Sequence, residues 1–435
     1  MKTRTGKPES DLPEYVRRCV DGELDVLFGE LSAMSIEGPK GVGKTVTAAR
    51  RSNTRYDLDE PTMLELIRAD PAQLVRGDEP ILIDEWHRMP AAWDLVRRAV
   101  DKDRRSSRFL LTGSASHDAQ GTHSGAGRIV TMQMRPLTLF ERRIAKPAVS
   151  LAALLEGRRP PIRGTTTINL ERYVEEILAG GFPGMRGTSE RARRAHLDGY
   201  IARIVDRDFP EAGRPVRNPR ALRAWLMAYA AATSTTCSYE TIRDAATGGQ
   251  GEKPAKTTTM PYRDTLTRLW IVDPVLAWMP TRNHFTKLNA SPKHHLADPA
   301  LAARLLGVNA GALLSGKQFG PKIPRDGTLL GALFESLVTL DTRVYAQSCE
   351  ARVHHLRTQG GEREIDLIVV RDDQRVVAIE VKLSATIEDK DVKHLRWLQD
   401  QLGEDLLDAA IITTGPHAYR RPDGIAVVPA ALFGP

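Results

Sequence analysis

Gly38, Pro39, Lys40, Gly41, Val42, Gly43, Lys44 and Thr45 have the composition and spacing of a loop that wraps phosphate groups. Glycines let the backbone curl until its N–H groups converge on phosphate oxygens, and a following helix adds the positive end of its dipole. The run SAMSIEG before the loop reads as a strand and TAARR after it suits a helix, so strand, loop and helix stand in the required order. Lys44 is then expected on the outer phosphates and Thr45 on a magnesium ion. A glycine loop that merely turned a corner would not need the whole pattern in this setting.

A second run, Pro80-Ile81-Leu82-Ile83-Asp84-Glu85, is an apolar strand ending in two carboxylates. Asp84 is expected to hold the magnesium shell and Glu85 to polarise an attacking water. The 40 positions from Lys44 to Asp84 (84 − 44) leave room for a helix and a strand between them. A third run, Arg108 to Ser114, brings Thr112 or Ser114 near the γ-phosphate as a sensor hydroxyl, or is an ordinary strand-end turn. Arg128, in SGAGRIV, is either a cation for the phosphates, in cis or across a homo-oligomer contact, or a solvated surface side chain.

The tail carries another group of charges. EIDLIVV and VVAIEVK read as two strands joined by the polar turn RDDQR, and alternation puts Glu380 and Lys382 on one face. Asp366 stands 14 positions before Glu380 (380 − 366) and can face them, and Glu335 lies on the preceding helix. Asp366, Glu380 and Glu335 could bind one or two magnesium ions that activate a water, with Lys382 orienting or polarising the nucleophile. The plain alternative is a charged edge hairpin, in which Glu-Val-Lys is common. Arg357 is a candidate phosphate contact. The adjacent pairs His294-His295 and His354-His355 would point to opposite faces of a strand, which does not suit zinc.

The elements that must position these groups follow from periodicity. Residues 31–150 alternate short apolar runs with helical stretches, the pattern of a parallel sheet flanked by helices, behind a helical lead over 1–30. A segment rich in Pro, Gly, Arg and Thr near 150–168 reads as a connector with a short helix inside. Helical periods dominate to residue 325, with a strand expected at LWIVDPVLAWM, and 326–435 reads as a small α/β unit.

At 435 residues the chain is too long for one ordinary core, and 41% hydrophobic against 27% charged residues excludes wholesale disorder. No apolar run approaches the roughly 20 residues that cross a bilayer, so a cytoplasmic protein with no membrane partner is expected. Cys19, Cys237 and Cys349 form no CxxC pair, against a disulfide framework or a cysteine zinc site. A net charge of +7 leans toward polyanionic partners, DNA or another nucleic acid among them.

Together with YDLDEPTMLELIRADPAQL, LTGSAS, GRIVTMQMRPLTLFE, GGFPGM, IVDRDFP and EREIDLIVVRDDQRVVAIEVK, these motifs resemble a group of bacterial and archaeal AAA+-type ATPases across residues 31–400. The resemblance implies a P-loop NTPase domain with ATP and magnesium, a helical lid and winged-helix-like middle domain over 151–325, and a PD-(D/E)xK nuclease-like tail over 326–435. In the middle domain RAWLMAYAAATST, SYETIRDAAT and KTTTMPYRDTLTRLW would be the three helices and WIVDPVLAWMPTRNHF the wing. Pro261 complicates the third helix: either the helix begins there with Thr258 or Thr259 as its cap, or the winged-helix reading is wrong. Lys253, Lys256, Arg263, Arg268, Arg282 and Lys287 could meet a phosphate backbone. The expected function is an ATPase coupled to a nucleic-acid-facing domain and a metal-dependent nuclease tail. The alternatives are an ATP-regulated DNA-binding scaffold with an inactive nuclease fold, and an ATPase switch acting on a protein partner in a defence or toxin–antitoxin-like system.

Overall fold

Short, mostly apolar runs in which every residue is buried (AMSIE, ILID, FLLTG) belong where both faces of a strand are covered. A computed structural model, describing residues 15–114, 126–212, 218–247, 256–280, 291–316, 320–324 and 327–435, places these runs at the centre of a parallel sheet. The chain forms two compact units: Met1–Arg135 with Phe182–Gly184 and Arg268–Trp270, and the remainder from Pro136 to Pro435.

The first unit runs α1 (Cys19–Glu30), β1 (Ala33–Glu37), α2 (Lys44–Ala49), β2 (Thr54–Asp57), α3 (Pro61–Ala69), β3 (Ile81–Asp84), α4 (Ala91–Lys102), β4 (Phe109–Gly113) and β5 (Ile129–Gln133). All strand pairs are parallel, in the order β2-β3-β4-β1-β5. Because β4 lies between β1 and β3, Gly113 is level with Glu37 and Leu111 with Ile83. Every strand therefore ends at the same edge, where Gly38 follows β1, Asp84 closes β3 and Thr112 stands next to last in β4. Helix α4 turns Ala92, Trp93, Val96 and Val100 inward, and Trp93 lies against Trp86 with ring centroids 4.9 Å apart. Truncating Trp93 to Ala would cost about 3–5 kcal/mol in this core.

The second unit begins with β6 (Val149–Ser150), α5 (Leu151–Leu155) and β7 (Arg163–Thr165). Then come α6 (Leu170–Ala179), α7 (Glu190–Arg203), α8 (Phe209–Glu211), α9 (Pro219–Ala231), α10 (Tyr239–Ala245), α11 (Lys256–Arg268), α12 (Pro299–Leu305) and α13 (Ala310–Leu314). It ends with α14 (Leu329–Ser348), β8 (Arg352–Arg357), β9 (Glu364–Val370), β10 (Val376–Lys382), α15 (Lys393–Leu402), β11 (Leu406–Thr413), β12 (His417–Arg420), β13 (Ala426–Pro429) and β14 (Phe433–Gly434). Its sheet has the order β7-β12-β13-β11-β10-β9-β8, with β10, β11 and β13 parallel and the other pairs antiparallel. Leu395, Leu398 and Leu402 of α15 cover this sheet, and Gly403 at φ 52° ends the helix.

Local expectations change in three places. The segment read as a connector is built into the second unit: β6 pairs with β14, and β7 pairs with β12 at the edge of the sheet. Helix α11 begins at Lys256, not Pro261; the proline sits inside it and removes one backbone N–H donor. The strand expected at LWIVDPVLAWM is reduced to isolated bridges, Val272 with Leu296, Val275 with Lys293 and Ala277 with His355. Pro274 in the middle of the run cannot donate to a continuous ladder.

Candidate functional site

The phosphate loop leaves β1 at Gly38, whose φ is 153° and where a Cβ would stand 2.1 Å from the Met134 carbonyl oxygen. No side chain fits there. Gly43, at φ 104°, turns the chain into α2. Pro39, Lys40, Gly41 and Val42 complete the loop, with the Val42 side chain buried. Arg18, next to α1, braces it by donating to the Val42 carbonyl and to the Arg135 carbonyl, each at 2.7 Å. The Lys44 ammonium donates to the Gly38 and Pro39 carbonyl oxygens at 2.9 Å each. Burial pushes its pKa down to about 8, against the opposing pull of Glu85 and Asp84.

Beside the loop, Asp84 Oδ1 accepts from Thr45 Oγ1 at 2.8 Å and also from the Thr112 hydroxyl. Arg55, on β2, donates to Asp84 Oδ2 at 2.9 Å. Burial raises the Asp84 pKa, while the Thr112, Arg55 and Thr45 contacts pull it down. Glu85 sits at φ 53°, its N–H donating to Thr112 Oγ1 at 3.3 Å and its Oε2 accepting from Ser114 Oγ at 3.2 Å. Thr45, Asp84, Glu85, Thr112 and Ser114 are thus brought together, as the strand order requires. A hydroxyl and a carboxylate converging from α2 and β3 suit the donor preference of magnesium.

Arg128 is elsewhere. It precedes β5, so in a parallel sheet it lies at the end opposite the phosphate loop, and its Nε pairs with Asp101 Oδ1 at 2.8 Å. The reading of Arg128 as a phosphate cation in cis is corrected by this geometry. Two residues not foreseen from sequence, Arg55 and Arg18, do reach the site. A usable signal for Arg55 is its alternation with Asp57 on the strand that flanks Asp84, but that requires knowing that β2 and β3 are neighbours.

In the second unit, Thr328 caps α14 by accepting from the Gly331 N–H at 3.1 Å, and the helix carries Glu335 toward β9 and β10. Glu335 and Asp366 share one partner, the ammonium of Lys293, at 2.9 Å from Glu335 Oε1 and 2.9 Å from Asp366 Oδ1. Glu364 Oε1 stands 3.3 Å from the same nitrogen. Asp366 Oδ2 accepts from the Val381 N–H at 2.9 Å. Lys382 pairs with Glu380 Oε2 at 3.0 Å, and Glu380 Oε1 is buried with no hydrogen-bond partner. Burial and the nearby Asp366 push the Glu380 pKa well up, and Lys293 holds that of Asp366 down at about 2 in spite of burial. The expected residues are gathered, with Lys293 added to them.

Arg357 contacts Glu364 Oε2 at 3.2 Å and Thr236 Oγ1 at 2.9 Å. The histidine rings bond to neighbours: His294 Nε2 to the Cys237 carbonyl at 2.8 Å, His295 Nδ1 to Ser336 Oγ at 3.2 Å, and His355 Nε2 to the Ser291 carbonyl at 2.9 Å. Of the basic residues expected to face nucleic acid, Lys253, Arg282 and Lys287 lie outside the described residues. Arg263 pairs with Asp264 at 2.8 Å and lies over the Tyr239 ring. Among the described residues, no helix is long and apolar enough to cross a membrane.

Residues 31–142 match the family described as AAA domain. Residues 170–312 match one domain of unknown function, DUF8612, and residues 330–433 another, DUF4143. Two mycobacterial proteins described only as uncharacterized, from Mycobacterium bovis and Mycobacterium tuberculosis, are each 27% identical over 423 residues, covering 95% of this chain and 83% of theirs. A Walker-type ATPase of Pyrococcus abyssi aligns over 70% of this chain and 99% of its own, with 15% identity and a TM-score of 0.39. The AAA-domain match and the parallel sheet agree on a P-loop-type α/β fold for the first unit.

Proposed function

We propose that the first unit binds ATP with magnesium and hydrolyses it. The observation that carries this reading is the Thr45–Asp84 contact, which joins the start of α2 to the end of β3 with Lys44 and Glu85 beside it. The AAA-domain match over the same residues supports it. Lys44 exchanges its two loop carbonyls for the outer phosphates, gaining a charged partner in place of dipoles. Thr45 and Asp84 would hold the magnesium, which supplies charge neutralisation for the phosphate oxygens. Glu85, oriented by Ser114, polarises a water whose oxygen bonds to the γ-phosphorus as the bond to the β,γ-bridging oxygen breaks, giving ADP and phosphate. Thr112 holds Asp84 and the Glu85 backbone in register.

The net charge of +7 favours a polyanionic partner for the rest of the chain. The test is phosphate release by the purified full chain with magnesium, alone and with single-stranded, duplex or branched DNA. Magnesium-dependent turnover that Lys44→Ala removes supports the ATPase, and acceleration by DNA supports the nucleic-acid partner. Rates indifferent to every DNA favour a protein partner, and turnover that survives Lys44→Ala overturns the site.

A further inference from the structure

An ammonium has three N–H donors and no acceptor. Lys293 Nζ has three carboxylate oxygens within reach, from Glu335 and Asp366 at 2.9 Å and Glu364 at 3.3 Å. The first two are charge-assisted hydrogen bonds and the Glu364 contact is an ion pair; all three are longer than the roughly 2.0–2.1 Å of magnesium to oxygen. The side chain is only 1% exposed, so the ammonium is not a surface counter-ion that drifts in and out. Its backbone is pinned as well: Lys293 exchanges N–H and carbonyl bonds with Val275 at 2.8 and 2.9 Å, and the next residue donates its N–H to Thr235 at 2.9 Å. The donor set therefore does not fit a divalent cation as the protein is folded. Two of the three expected ligands are spent on Lys293, and the third, Glu380, is paired with Lys382.

We infer that Lys293 is a built-in cation standing in the position a divalent metal would take among Glu335, Asp366 and Glu364, so that this carboxylate cluster is a structural lock and not a magnesium site. The lock joins three stretches distant in sequence: the loop before α12, helix α14 and strand β9. Charge is what holds it, because removing one partner of a buried ion group leaves the others uncompensated in a low-dielectric interior. A divalent ion should consequently be able to replace the ammonium once the ammonium is gone. This inference does not depend on the ATPase reading.

The experiment uses the full chain with Asp84→Asn in every sample, so that the first unit's carboxylate does not take the ion. Thermal unfolding is followed with and without manganese, in the absence of nucleotide. Lys293→Met is expected to lower Tm by roughly 10 °C, and manganese should restore part of that loss while leaving the Lys293 parent unmoved. Should Lys293→Met fail to fold, Lys293→Met with Glu335→Gln and Asp366→Asn decides: recovery of a folded protein without metal upholds a lock made of charge. A triple variant that also fails to fold shows that the lysine stem is needed for packing and overturns the inference. It is equally overturned if manganese stabilises the parent through Asp366, if Lys293→Met matches the parent, or if no divalent ion restores the lost stability.

Discussion

Two carboxylate sites in this chain are held by different kinds of partner. Around Asp84 the partners are the hydroxyls of Thr45 and Thr112 and a guanidinium, Arg55, whose side chain is 42% exposed. Around Asp366 the side-chain partner is the Lys293 ammonium, 1% exposed, which is also hydrogen-bonded to Glu335 and ion-paired with Glu364. Hydroxyls can turn toward an arriving cation and an exposed arginine can swing away, whereas a buried ammonium leaves only by giving up its carboxylates and displacing what packs around its stem. The same residue types thus give an open site in one unit and a filled one in the other. Acidic spacing identifies where a cation sits, and the partner decides whether that cation is a metal.

The largest effect that sharpens this contrast is expected for Lys44→Ala: loss of ATP binding, read by nucleotide titration, with Tm close to that of the unaltered chain. Glu85→Gln follows, with ATP still bound and turnover lowered about 10²–10⁴-fold, the usual size of a general-base contribution. Equal loss of binding would assign Glu85 a structural role. Arg55→Ala is expected to lower turnover about tenfold, the equivalent of roughly 1.4 kcal/mol, through the freed Asp84 carboxylate. Asp366→Asn should leave turnover per folded chain within about twofold, since it acts through stability alone. A larger fall would break the separation between the two sites.

The phosphate loop was legible because its chemistry is contiguous: one run of residues supplies the turn, the lysine and the hydroxyl. The acidic pair at the end of β3 was legible because an apolar strand ending in carboxylates has few other uses. Arg55 and Arg18 were not, since their value comes from neighbours 29 and 24 residues away that only the strand order brings close. Lys293 escaped for the same reason, lying 42 residues from Glu335 and 73 from Asp366. The segment near 150–168 looked like a linker because its strand is short and its partner β12 lies far along the chain. Pairing, not composition, makes it part of a sheet.

Smaller effects should appear with pH. Burial raises the pKa of Glu37, at the end of β1, to about 7, with the Ser35 hydroxyl and Lys44 opposing. A raised carboxyl contributes stability that is fully present below its unfolded value near 4.5 and is lost as pH rises through about 7. Glu37→Gln should therefore stabilise the first unit at pH 8 by about 1–3 kcal/mol relative to its effect at pH 4. Denaturant titration of both proteins at the two pH values checks it, and an identical difference at both would remove Glu37 as the cause.

The contrast between an open and a filled site is tested most directly by counting divalent ions. Manganese binding to the full chain, followed by electron paramagnetic resonance with and without a non-hydrolysable ATP analogue, should give one tightly held ion per chain only when the nucleotide is present. Asp84→Asn should remove that ion and Asp366→Asn should leave it. A tightly held ion that appears without nucleotide, survives Asp84→Asn and disappears with Asp366→Asn would contradict the account.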